Sequence, residues 1–316
     1  MGKAMQIHRW TSEFRFGQDC GLIIGNFDGV HRGHQAMIAR LQAVCAAKSM
    51  PAVAMSFYPH PRTVVQGKAP ALLSTLHDRA YWLAHYGISD WILVPFTPSF
   101  RRIGAEDFLR DYLQTKLRPH YLLVGDDFRF GYRGSGDWQL LSTFAAAQNY
   151  QLDSIDTFEH GSERVSSSAV RAALEAHDFA LAQALLGHEL TFTGRVRAGE
   201  GRGRTLAART ANIHVPAHWC LPDGVYVVKM RVCNAQEAHW GVANLGGAPT
   251  FASTRRKLEV HLLEAQLDLY GHSVQVAFRH YLRPVQKFAD SGALQKQIQQ
   301  DIHAAKAFIA AQLNEG

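Results

Sequence analysis

The chain has 316 residues, 47% hydrophobic and 19% charged, with a formal net charge of +6. This suits two ordinary domains and excludes a disordered chain. No apolar run is long enough to span a bilayer, the N-terminus lacks the apolar core of a signal peptide, and the basic residues form no block or aromatic-interleaved stripe, so neither a membrane nor a nucleic acid is indicated as a partner.

The first apolar run, Leu22-Ile23-Ile24, reads as a buried strand, and Met37, Ile38 and Leu41 mark the apolar face of a helix. Between them lies Gly25-Asn26-Phe27-Asp28-Gly29-Val30-His31-Arg32-Gly33-His34. This is a strand-to-helix turn, the place where open parallel sheets bind ligands. Gly25, Gly29 and Gly33 allow a sharp turn and close approach to a ligand. His31 and His34, three apart, share one side of the first helical turn beside amides that favour an anion. The pattern suits a polyphosphate, although such a turn by itself is often only a tight connection.

Strand-like and helix-like runs then alternate to about residue 155. Strands are expected over residues 52–57, 91–94, 121–124 and 152–155, with helices over about 74–86, through Phe108 and Tyr112, and through Leu140 and Phe144. That alternation predicts a parallel sheet covered on both faces. After the second strand, Tyr58-Pro59-His60-Pro61 is a stiff turn that fixes His60. After the fourth, Gly125-Asp126-Asp127-Phe128-Arg129-Phe130-Gly131 joins paired acids to aromatic rings and a guanidinium, which suits a flat phosphate-bearing ligand. The alternative is core phenylalanines with turn-capping acids. Val165-Ser166-Ser167-Ser168-Ala169-Val170-Arg171 opens a helix through Val170, Leu174 and Leu181. The serines suit an N-cap, and Arg171, expected on the first turn, suits a phosphate clamp.

The pattern changes after Gly187, a helix end, so a domain boundary is expected between residues 187 and 188. Short strands over residues 191–196, 224–232, 240–244, 258–263 and 274–278 predict a small antiparallel barrel, and Leu294, Ile298, Ile302, Ala305 and Ile309 predict a helix over about 291–313. Residues 194–204 are rich in glycine and arginine but lack the Walker ending. Alternation puts Leu258, Val260 and Leu262 on one face of a strand and Glu259 and His261 on the other, with Glu259 expected at the barrel mouth. Cys20, Cys45, Cys220 and Cys233 form no Cys-x-x-Cys pair and read as reduced thiols of a cytoplasmic protein.

Gly25-x-Phe27-Asp28-Gly29-x-His31-x-Gly33-His34 resembles the nucleotidyltransferase signature in the form found in bacterial bifunctional riboflavin kinase/FAD synthetases. The 125–131 turn, the Val165–Arg171 run (Ile-Ser-Ser-Thr-x-x-Arg in the family), Thr210-Ala211-Asn212, Pro222-Asp223-Gly224-Val225-Tyr226, Leu258-Glu259-Val260-His261 and Asp268-Leu269-Tyr270-Gly271 resemble the same family in the same order. The resemblance implies a Rossmann-like nucleotidyltransferase domain (1–187), then a β-barrel riboflavin kinase domain with a terminal helix (188–316). It implies phosphorylation of riboflavin to FMN, then adenylylation of FMN to FAD, with ATP as co-substrate and magnesium in both steps. His31, His34 and Arg171 would act on the phosphates of ATP, within a pocket of Gly25, Phe27, Asp28, Gly29, Gly33, Ser166 and Ser167. His60, Asp126, Asp127, Phe128 and Arg129 would meet FMN. In the barrel, Gly203, Thr210 and Asn212 would bind ATP, Thr210 and Asn212 would also hold magnesium, Arg283 would meet the flavin, and Glu259 would be the base. The chain departs from the family at Tyr58 (commonly an acid), at Ala207-Ala208-Arg209 (Gly-Phe-Pro), at Ala248 (Arg) and at Val285 (commonly Glu). Two alternatives follow: an adenylyltransferase with an impaired kinase, or a flavin-binding regulatory protein.

Overall fold

The structure, a computed structural model, describes residues 4–161, 163–197, 210–233, 235–247, 255–264 and 267–314. It divides into two compact units: Met1–Leu72 with Arg79–Ser167, and Leu73–Asp78 with Ser168–Gly316.

The first unit is built on β1 (Gln6–Arg9), β2 (Gly21–Ile24), α1 (Arg32–Ala47), β3 (Ala52–Tyr58), α2 (Pro61–Gln66), α3 (Leu76–His85, from Arg79 onward), β4 (Asp90–Pro95), α4 (Ala105–Phe108), β5 (Tyr121–Gly125), α5 (Trp138–Ala147) and β6 (Gln151–Ile155). A two-stranded ribbon follows, β7 (Glu159–His160) with β8 (Glu163–Arg164). The six-stranded sheet has the order β1-β4-β3-β2-β5-β6 and every pair is parallel. Helices cover both faces of such a sheet, so its central strands are buried: residues 21–24 and 121–124 are buried at every position. The chain runs outward from β2 through β3 to β4, then returns to the other side of β2 as β5. The sheet therefore reverses its winding between β2 and β5, and the crevice outside their carboxyl ends is the expected ligand site.

Three local features differ from the sequence expectation. Strand β1 has a single apolar residue, Ile7, and it is held by register with β4 (Ile7↔Trp91) rather than by a pattern of its own. Helix α2 takes the place of a loop: Pro61 sits in its first turn, and His60 Nδ1 accepts from Arg62 N at 3.2 Å. The helix after α4 continues over Leu109–Leu117 as π-helix.

The second unit carries α6 (Ser167–Glu175), α7 (Phe179–Leu186) and six strands: β9 (Leu190–Arg197), β10 (Thr210–Pro216), β11 (Gly224–Val232), β12 (His239–Gly247), β13 (Arg255–Leu262) and β14 (Ser273–Arg283), then α8 (Ser291–Asn314). The cut between the units falls in the first turn of α6. The single helix expected through Val170 and Leu181 is two, because His177 takes a positive φ of 58° and Asp178 recaps the chain by accepting from Leu181 N at 2.9 Å. Helix α7 packs on β9 and β14, and His177 stacks on Tyr281 with ring centroids 3.6 Å apart. These contacts group the two helices with the barrel rather than with the sheet. Gly187 ends α7 with φ 74°.

The strands close into an antiparallel barrel in the order β10-β13-β12-β11-β14-β9, with β9 paired to β10. Leu258, Val260, Ala211, Ile213, Val215, Ala243 and Leu245 point inward and are buried. Strand β10 lay outside the sequence expectation; it pairs with β13 over its whole length. Among the described residues no helix is long and apolar enough to cross a membrane.

Candidate active site

The turn after β2 is buried and strained. Phe27, Gly29 and Val30 have φ of 50°, 81° and 42°; a positive φ costs a β-branched residue such as Val30 the most. Phe27 and Val30 are fully buried, so side-chain burial holds the conformation. The turn delivers His31 to the N-cap of α1, and no acidic residue occupies that helix's first turn. The helix end therefore keeps its attraction for an anion. The rings of His31 and His34 stack 3.7 Å apart, and Phe27 supports His34 edge-on at 5.1 Å. Gly33 permits this packing: a Cβ there would lie 3.3 Å from the His31 ring and 3.6 Å from Val165 O. Asn26 Oδ1 and His34 Nδ1 are buried without a hydrogen-bond partner among the described residues.

Two residues expected to touch ATP have their side chains buried in the floor of the turn. Phe27 is fully buried, and Asp28 is 2% exposed, with its carboxylate 3.4 Å from the buried Arg79 guanidinium and its carbonyl accepting from Ser167 Oγ at 2.9 Å. Asn26 and Arg79 escaped the sequence reading. Asn26 sits inside the 25–34 turn as an ordinary polar residue, and Arg79 lies 51 positions from its partner. Arg171 is a half-buried residue of α6, one turn past the start rather than on the first turn.

Burial, then His31 and Arg79, hold the His34 imidazole well below its usual pKa, and burial alone lowers His261 and His280. An unfolded histidine takes up a proton near pH 6.5, where these folded ones stay neutral. The unfolded state then binds more protons, so stability is lost as pH falls below about 6.5. Melting temperature is expected to drop between pH 7.5 and 5.5, and His34→Gln is expected to flatten that dependence.

The turn after β5, the strand hydrogen-bonded to β2, lies at the other side of the winding reversal. Asp126 accepts from Thr157 Oγ1 at 3.1 Å, Asp127 pairs with Arg164 at 2.6 Å, and Arg129 stands 3.7 Å from Asp137. Phe130 belongs to the core, while Phe128 is half-buried and stacks on it at 5.6 Å. Tyr58, at the end of β3, and Tyr132, in the connection after β5, are exposed rings.

In the barrel, register places Asn212, Glu259 and Asn244 side by side on β10, β13 and β12. Their neighbours in sequence fill the interior, so this row lies on the outer wall, not at the barrel mouth. Glu259 pairs with Lys257 at 2.5 Å, and Asn212 Nδ2 donates to Thr210 O at 3.1 Å. Gly203, the 207–209 substitutions and Ala248 lie outside the described residues. Arg283, expected to meet the flavin, makes a two-pronged pair with Asp301 of α8, both contacts 2.7 Å. That geometry ties the terminal helix to β14. Asp301→Ala leaves a mostly buried guanidinium without its carboxylate, and a loss of about 3 kcal/mol in denaturant unfolding is expected.

A doubly covered parallel sheet with a stacked histidine pair at its winding reversal, followed by a closed antiparallel barrel, marks a two-domain enzyme of phosphate chemistry. The FAD synthetase family profile matches residues 14–169, and the riboflavin kinase profile matches residues 186–309. The bifunctional riboflavin kinase/FMN adenylyltransferase of Escherichia coli K12 is 40% identical over 92% of this chain and 93% of its own length. That of Pseudomonas fluorescens is 38% identical over 96% of each. The crystal structure of a macrolide-efflux protein from Streptococcus pneumoniae has the same fold, with a TM-score of 0.81, 24% identity, and coverage of 96% of this chain and 99% of that one. The chain belongs to the bifunctional riboflavin kinase/FMN adenylyltransferase family. It is a transferase with both catalytic domains.

Proposed function

We propose that residues 188–316 phosphorylate riboflavin to FMN and that residues 1–187 adenylylate that FMN to FAD. The carrying observation is the pairing of the histidine turn and the acid-aromatic turn on adjacent strands β2 and β5 at the winding reversal. In adenylyl transfer an FMN phosphate oxygen attacks the α-phosphorus of ATP, the bond to the bridging oxygen breaks, and pyrophosphate leaves. Negative charge grows on the phosphoryl oxygens and the leaving group. In this reading His31, His34 and the amides opening α1 donate to those oxygens. Gly25, Gly29 and Gly33 let the backbone approach ATP, Phe27 and Asp28 support the turn from below, and Ser166 and Ser167 border it. For Arg171 as a phosphate ligand, the motif is the support. Phe128, with Asp126, Asp127, Arg129 and His60, offers the FMN surface.

In the kinase step the riboflavin 5′-hydroxyl attacks the γ-phosphorus, ADP leaves, and Glu259 takes the hydroxyl proton. The hydroxyl of Thr210 and the amide oxygen of Asn212 are hard donors on one face of β10 that suit magnesium, which supplies charge neutralisation on the ATP phosphates. Arg283 is left as a structural tie to α8. We place both reactions in the cytoplasm, where ATP is made and cysteines stay reduced.

The test is product chromatography with ATP and magnesium, starting from riboflavin in one tube and FMN in the other. FAD from both tubes supports the full reading. FAD from FMN alone assigns a kinase impaired by Ala207-Ala208-Arg209. Bound flavin without product in either tube overturns it in favour of a flavin-binding protein.

A further inference from the structure

The turn Phe27–Val30 holds three positive φ values within four residues. Such backbone persists where its surroundings over-determine it. Three of the bonds that hold it join neutral groups: Val30 N to Phe27 O at 3.2 Å, Gln35 Nε2 to Val30 O at 2.8 Å, and Ser167 Oγ to Asp28 O at 2.9 Å. The fourth is of another kind. Arg79, on α3, places its Nη2 3.4 Å from Asp28 Oδ1, and the two side chains are 6% and 3% exposed. A charge pair buried to that degree is costly to assemble, and removing one member strands the other. Both groups lie beneath the surface, so neither is itself presented to a ligand.

We propose that Arg79 is a positioning residue for adenylyl transfer: its buried guanidinium holds Asp28, locks the strained turn and so fixes the stacked His31–His34 pair. The inference rests on the reading that these histidines hold the phosphates of ATP. A second effect accompanies the first. The charged and titratable groups around His34 are His31, Arg79 and, beneath the turn, Asp28. Burial first, then His31 and then the Arg79 cation, keep the His34 ring neutral. A neutral ring keeps one N–H to donate and one nitrogen to accept, so its orientation toward a phosphate is defined by position rather than by free charge.

The test uses the full chain. Arg79→Met, Arg79→Lys and the doubly neutral Arg79→Met/Asp28→Asn are compared in three measurements: FMN adenylylation, riboflavin phosphorylation, and NMR titration of the His34 ring. Arg79→Met is expected to lower kcat for adenylylation about a hundredfold, the scale of a small misplacement of catalytic groups, with KM for FMN and the kinase step little changed. The His34 midpoint is expected to rise toward 6.5. Arg79→Lys, which keeps the charge, is expected to restore the midpoint and part of kcat. Where Arg79→Met does not fold, the doubly neutral variant, which strands no charge, carries the test and is expected to fold and stay slow. Adenylylation at the parent rate in a folded Arg79→Met or doubly neutral variant overturns the proposal, as does a slow Arg79→Met variant whose His34 midpoint has not moved. His31→Ala separates this inference from the reading beneath it. Full FAD synthesis by His31→Ala removes the histidines' role. An inactive His31→Ala beside a fully active Arg79→Met removes the Arg79 role alone.

Discussion

His31→Ala is expected to lower FAD formation from FMN by about 10²–10³-fold while leaving riboflavin phosphorylation within a factor of about two. The size follows from what the imidazole does. Adenylyl transfer builds charge on phosphoryl oxygens, and donors already in place stabilise that charge without reorganisation. His31 occupies the N-cap of α1, so its ring and the first-turn amides stand together, and its ring stacks on His34 at 3.7 Å. Truncation removes one donor and the ring that orients the other. The kinase step is spared because the Asn212, Glu259 and Asn244 row belongs to the barrel, whose interior is filled by its own strands. The measurement is chromatography of FMN and FAD from the two starting flavins. Equal loss of both activities in a folded variant would overturn the division of labour between the two halves.

The elements legible in the sequence were those whose periodicity comes from burial. Strands β2 and β5 are apolar runs buried over residues 21–24 and 121–124 because helices cover both faces, and Leu258, Val260 and Leu262 alternate because one side of β13 faces the barrel interior. Elements set by pairing or by capping were not legible. Strand β1 is polar at three of four positions and is held by β4. Strand β10 has polar residues on the outer wall between buried Ala211, Ile213 and Val215, and its Thr-Ala-Asn motif drew attention to chemistry rather than to conformation. The break between α6 and α7 depends on a left-handed His177, a conformation that residue type does not announce.

The candidate site divides along the same line. The histidines and glycines of the turn were readable because their spacing carries the chemistry. The burial of Phe27 and Asp28 was not, since a motif says which residues recur and not which face the ligand. Arg79 was out of reach because its partner is distant in sequence. Arg283 reads equally well as a flavin contact or as a strut until Asp301 is seen 2.7 Å away.

Glu259→Gln is expected to slow riboflavin phosphorylation by about 10²–10⁴-fold, the range for loss of a general base, while FMN supplied directly is still converted to FAD. The substitution keeps the size of the side chain and its place between Asn212 and Asn244, and it removes the basic oxygen. It also breaks the 2.5 Å pair with Lys257, but both partners are more than a third exposed, so the effect on stability is expected to be small. A lost fold therefore does not stand in for lost chemistry. The outer-wall position is central here. A carboxylate inside the barrel would be shut away from substrate by Leu258 and Val260, whereas on the outer wall it shares a face with the Thr210 and Asn212 oxygens assigned to the metal and phosphates. Riboflavin should then accumulate unphosphorylated in the variant, and added FMN should bypass the block. Kinase turnover at the parent rate would remove Glu259 as the base and turn attention to His261, which lies on the same face of β13 and is kept neutral by burial.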